Sequence, residues 1–127
     1  MILEDYISFE TAKLLKEKGF DEYCYGYYYT SKYMSYGDIK QRNLELFPDS
    51  YSAPTLQMVM KWLRELKRCI IVIIPKWFTP YGCAKYAYSI WADDNLEIDG
   101  EVDKDTEYDT YEETCEAAIK YCLENLI

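Results

Sequence analysis

The side chains most able to do chemistry in this chain are carboxylates, and they crowd into one stretch. Twelve of the 23 acids lie between residues 93 and 116 beside a single lysine, a local balance of −11, while the remainder sums to +2. Asp93, Asn95 and Glu97 follow the alternate spacing of a calcium loop, with Asp99 at the next alternate position. The template then fails, because Ile98 stands where glycine makes the turn and Lys104 stands where a bidentate glutamate closes the site. The spacing therefore supports at most a loose, weak surface site for a divalent cation. Two carboxylates from the 93–109 stretch would also suffice for acid/base hydrolysis, provided their surroundings separate their pKa values.

Other catalytic chemistry is poorly supplied. The chain has no histidine, which removes Ser–His and Cys–His catalysis and imidazole metal ligation. No glycine-rich phosphate loop is encoded. The five cysteines, at 24, 69, 83, 115 and 122, form no CxxC pair and read as reduced, largely buried hydrophobes. Cys24 and Cys83 are the thiols nearest aromatic strand or turn sequence, yet no base lies close to either in sequence. No cofactor is expected.

Aromatic residues offer a different function. Residues 20–37 hold seven of the fifteen tyrosines, and Tyr23, Tyr25, Tyr27 and Tyr29 alternate with Cys24, Gly26 and Tyr28. Period two with aromatic side chains predicts a strand. The smaller Cys24/Gly26/Tyr28 face suits a covering helix and leaves the tyrosines open to solvent; the reverse assignment also fits the pattern. Tyr25, Tyr27, Tyr29, Trp77, Tyr86 and Tyr88 are the candidates for one aromatic sheet face opposite the helices. Such residues anchor protein interfaces at low entropic cost.

Three helices and a hairpin must position these groups. Ser8 is a good N-cap for a helix over 9–18, and Gly19 stands where a left-handed C-terminal residue belongs, with Phe20 able to fold back on Leu15. Residues 38–53 lack periodicity and read as a long connection with a short turn near Leu44–Phe47. Leu56, Val59, Met60, Leu63 and Leu66, widened by Trp62, form the clearest helical stripe. Residues 70–74 are β-branched on both faces, as in a strand buried from two sides, and Thr79–Gly82 signals a turn into a return strand over 83–92. Thr110 with Glu113 forms a capping box for a last helix whose stripe includes Cys115, Ala118, Ile119 and Cys122.

These elements predict an α+β fold in which three helices pack on one face of a small, mainly antiparallel sheet of three or four strands. At 127 residues a single compact domain over 1–127 is expected. The N-terminus has two acids by residue 5 rather than a basic-then-apolar leader, and the longest apolar run, 69–75, is far short of the ~20 residues that span a bilayer. A cytoplasmic protein without membrane association is expected. The net charge of −9 disfavours nucleic acid.

The motifs ISFETAKLLKEKGFDE (7–22), TLQMVMKWLRE (55–65), IIVIIPKW (70–77) and YEETCEAAIKYCLENLI (111–127) resemble small proteins of unassigned activity from gut Bacteroides-type bacteria and their phages or prophages. The resemblance implies a bacterial or phage-derived accessory protein and carries no catalytic residues with it. The leading expectation is a non-enzymatic interaction or regulatory protein that binds a protein partner, or itself, through the aromatic face. The competing one is a small metal-assisted or carboxylate-dependent hydrolase built on the 93–109 loop.

Overall fold

In the computed structural model, residues 2–29, 33–92, 97–98 and 106–127 are described. The order is α1 (Phe9–Glu17), β1 (Cys24–Tyr29), β2 (Met34–Gln41), a 3-10 turn (Asn43–Glu45), β3 (Ser50–Ser52), α2 (Leu56–Leu66), β4 (Ile70–Thr79), β5 (Gly82–Trp91), β6 (Glu97–Ile98) and α3 (Tyr111–Asn125). The fold is α+β with antiparallel strand pairing, as the residue pattern implies. The single sheet does not form. The strands divide into one sheet of order β2-β1-β3 and another of order β4-β5-β6. Residues 38–53 contribute part of β2 and all of β3, which complete a sheet around β1. Contacts group the chain into residues 1–58 and 59–127, with the boundary inside α2.

Local signals account for the helices. In α1, the Ser8 hydroxyl accepts the Thr11 N–H, and Gly19 takes φ +88°, where a Cβ would be strained. The Phe20 N–H returns to the Leu15 carbonyl at 2.9 Å, and both side chains are buried. Thr55 Oγ1 accepts the Met58 N–H at the start of α2, and Leu56, Val59, Met60, Trp62 and Leu63 are buried. Leu66 departs from its stripe and lies exposed. Thr110 caps α3 by accepting the Glu113 N–H, and Cys115, Ala118, Ile119, Cys122 and Leu123 are fully buried.

In the first unit α1 packs against β3, beneath the sheet. Phe9 meets Tyr28 and Tyr51 edge to face at 5.5 and 5.7 Å, and the Tyr28 hydroxyl donates to the buried Ile7 carbonyl at 2.7 Å. Gly26 permits close approach here, since a Cβ would sit 2.9 Å from the Ala53 carbonyl oxygen. The N-terminal segment joins the sheet's surroundings through Ile7 N–H to Pro54 O and Leu56 N–H to Asp5 O.

In the second unit α3 packs on β4 and β5. The hairpin registers Ile71 with Ile90, Ile73 with Tyr88 and Pro75 with Tyr86, and bulges between Pro75 and Phe78. Burial of β4 from two sides is not found. Ile71 and Ile73 are half-buried on the face shared with fully buried Ile90, while Ile70, Val72 and Ile74 on the opposite face are 45, 41 and 37% exposed. Among the described residues α3 covers one side of this sheet, and the strand's second apolar face is left partly exposed.

Candidate functional site

Alternation along β1 separates its two faces. Cys24, Gly26 and Tyr28 are buried, Tyr28 against Phe9 of α1, while Tyr25 and Tyr29 are half exposed and Tyr27 is intermediate on the other side. Beside this outer face the chain arches from Arg42 to Phe47, and two acceptor-bearing side chains pin the arch. Asp21 takes Arg42 Nη1 at 2.9 Å and the Leu44 N–H at 2.8 Å. Asn43, itself buried, donates to the Phe20 carbonyl at 2.6 Å and accepts the Ser52 N–H at 2.9 Å. The arch and the sheet enclose an open cleft of about 350 Å³ lined by Tyr27, Tyr29, Ser35, Gln41, Glu45, Leu46, Phe47 and Ser50.

The electrostatics of this face are distinctive. The Arg42 guanidinium lies 5.8 Å over the Tyr23 ring and Lys40 Nζ 5.2 Å over Tyr25. Asp21 and then Tyr23 hold the Arg42 pKa above its ordinary value. Glu45 approaches Arg42 Nε at 3.4 Å, without a hydrogen bond to that nitrogen. The phenyl ring of Phe47 stands 6.3 Å from Tyr29, edge to face. Beneath them the Ser50 side chain is buried and its hydroxyl has no partner among the described residues. Lys16 approaches from α1, donating to the Phe47 and Ser50 carbonyls at 3.1 and 2.7 Å.

The six aromatic candidates do not share a face. Tyr25, Tyr27 and Tyr29 stand on the outer side of the first sheet, but Trp77, Tyr86 and Tyr88 belong to the second. Tyr86 and Tyr88 lie on the α3 side of β5, where their rings meet Tyr111 at 6.0 Å and Tyr108 at 6.2 Å. The Tyr108 backbone also exchanges hydrogen bonds with Tyr86 at 2.8 and 2.9 Å, extending the sheet edge. These tyrosines hold the lead-in to α3. Trp77 is 60% exposed and donates its indole N–H to the Glu107 carboxylate at 3.0 Å. One sheet in place of two would have been needed to gather all six, and alternation along a strand carries no information on which sheet it joins.

Of the metal candidates, Asp93, Asn95 and Asp99 lie outside the described residues, and Glu97 is described only as backbone of β6. Among the described residues no group of three His, Cys, Asp or Glu side chains is placed to hold a metal. Nearby Asp109 is engaged by Lys85 in an ion pair. The Cys24 thiol is buried, and its desolvation, aided by Glu22, pushes its pKa up to about 11, the opposite of what a nucleophile requires. Burial raises Cys122 in the same direction, with Cys69 beside it adding to the effect. Cys83 lies in β5, and its side chain is outside the described set.

Asn43, Glu45, Phe47 and Ser50 were not singled out as site residues, because they sit in a stretch with no periodicity. The turn expected near Leu44–Phe47 was a local hint that the chain doubles back there. Compared with known proteins, the chain matches no protein-family model, no curated protein and no solved structure. No described helix is long and apolar enough to cross a membrane.

Proposed function

We propose that this chain is a non-enzymatic interaction protein that docks a protein partner on the outer face of the β2-β1-β3 sheet. The observation that carries this reading is the half exposure of Tyr25 and Tyr29 on that face, while Cys24, Gly26 and Tyr28 on the same strand's other face are buried. Large, rigid aromatic rings with a polar edge gain much from burial against a partner and lose little entropy in doing so. Phe47, 68% exposed at the rim, extends the surface. The test is capture of a partner by the wild-type chain and by Tyr25→Ala/Tyr29→Ala. Reduced capture with an unchanged circular dichroism spectrum is expected, and equal capture by both rejects the face.

A second reading has its own observation. Strand β4 is an edge of its sheet, and Ile70, Val72 and Ile74 with Trp91 (47% exposed) form an apolar row on the face away from α3. Long apolar edge strands favour pairing with another chain. Here a second copy is the natural partner. Sedimentation equilibrium should show a dimer that Val72→Lys dissociates; a monomer at all concentrations rejects self-association.

A further inference from the structure

We infer that the cleft between Tyr27, Tyr29 and the 42–47 arch is a seat for an arginine side chain carried by the protein partner. The inference rests on the docking reading above and supplies the chemistry of the anchor. Its first support is the pattern along one face. Tyr23, Tyr25, Tyr27 and Tyr29 recur at every second residue; the first two are already covered by the chain's own cations, Arg42 and Lys40. Tyr27 and Tyr29 carry no such cation among the described residues, and the cleft lies over them instead. A face that binds a guanidinium and an ammonium at two of its positions has the electronic character to bind another at the next two.

The lining strengthens the assignment. Glu45 places a carboxylate at the cleft, with 43% of its side chain exposed. Arg42 directs its shortest contact, 2.9 Å, to Asp21 rather than to Glu45. Tyr29 and Phe47 provide two ring walls, and the partnerless Ser50 hydroxyl lies at the lining. A planar, delocalised cation suits this combination better than a compact ammonium, because it stacks on rings while its N–H fork engages a carboxylate.

Size favours a side chain over a free metabolite. At about 350 Å³ and open to solvent, the cleft is at the small end of the roughly 300–1,000 Å³ of sites that engulf small ligands. A partner's side chain needs only to insert, with its backbone resting on the tyrosine face. Residues 1–58, which form the cleft, hold nine acids against six bases, and this modest negative balance favours a basic partner.

The decisive comparison uses the full chain and two short peptides, acetyl-Gly-Ser-Arg-Ser-Gly-amide and the same peptide with citrulline. Citrulline keeps the shape and removes the charge. The arginine peptide should bind saturably at least about tenfold more tightly than the citrulline peptide, the scale of one cation–π plus carboxylate contact. Amide shifts should centre on Tyr29, Glu45 and Ser50. Glu45→Gln and Phe47→Ala, both at exposed positions, should each weaken the arginine peptide severalfold without changing the spectrum of the fold. Equal affinity for the two peptides, absence of saturable binding, or shifts centred elsewhere would overturn the assignment. Partner capture separates the two claims. Capture lost in Tyr25→Ala/Tyr29→Ala without arginine binding rejects the anchor and keeps the docking face; arginine binding with capture unchanged does the reverse.

Discussion

Asn43 is the residue whose removal should be felt most widely in the first unit. Its side chain is 4% exposed and makes hydrogen bonds to two distant backbone groups, the Phe20 carbonyl at 2.6 Å and the Ser52 N–H at 2.9 Å. It thus ties the end of α1's turn, the arch and β3 together, and the arch is one wall of the cleft. Asn43→Ala deletes both bonds and leaves room where the amide stood. Each lost partner to a buried polar group costs about 1–3 kcal/mol, so about 2–4 kcal/mol is expected. With a urea slope of about 2 kcal/mol/M, the middle of the range for small proteins, the midpoint should fall by about 1–2 M. Urea unfolding followed by circular dichroism reads the global loss, and hydrogen exchange at the Ser52 amide reads the local one. Asn43→Asp sharpens the test. It keeps an acceptor for Ser52 but sets a carboxylate against the Phe20 carbonyl, so its penalty should shrink as acid protonates the new group and restores a donor. A loss below about 0.5 kcal/mol in Asn43→Ala, or retained protection at Ser52, would refute this account of how the arch is held.

Two other outcomes follow from single atoms. Gly26→Ala places a Cβ 2.9 Å from the Ala53 carbonyl oxygen, a backbone atom that cannot swing aside, so a loss of about 1–3 kcal/mol is expected; an unchanged melting temperature would show that the strand shifts freely. The Cys24 thiol should resist a disulfide reagent at pH 8 until the chain is unfolded. Its folded pKa, raised to about 11 from the usual 9.0, means that the native chain keeps a proton the unfolded chain has released. Stability present below pH 9 is therefore lost as pH climbs to about 11, by at most about 2–3 kcal/mol, and Cys24→Ala should flatten that part of the profile in urea unfolding. An equally steep decline in the variant would assign it to other groups.

The helices and the hairpin were readable from the chain because their causes are local. Ser8, Thr55 and Thr110 each cap the residue three positions ahead, Gly19 closes α1 by its own φ, and the Thr79–Gly82 turn brings its flanking strands into register. The alternation at 23–29 likewise separates the covered side of β1 from the open one, though only packing shows which is which. Strand β3 is another matter. Ser50-Tyr51-Ser52 has no apolar alternation, and it becomes a strand because β1 offers hydrogen bonds and Phe9 receives Tyr51. The same dependence on distant partners divides the strands into two sheets, turns Tyr86 and Tyr88 toward α3, and leaves Ile70, Val72 and Ile74 exposed. The cleft is the extreme case. Its walls come from all three strands of the sheet and from the arch at 45–47, and the Asn43 amide that holds the arch reaches across nine and 23 positions. Periodicity and capping act over a few residues, whereas pairing partners and burial are settled by which surfaces meet after the chain has folded.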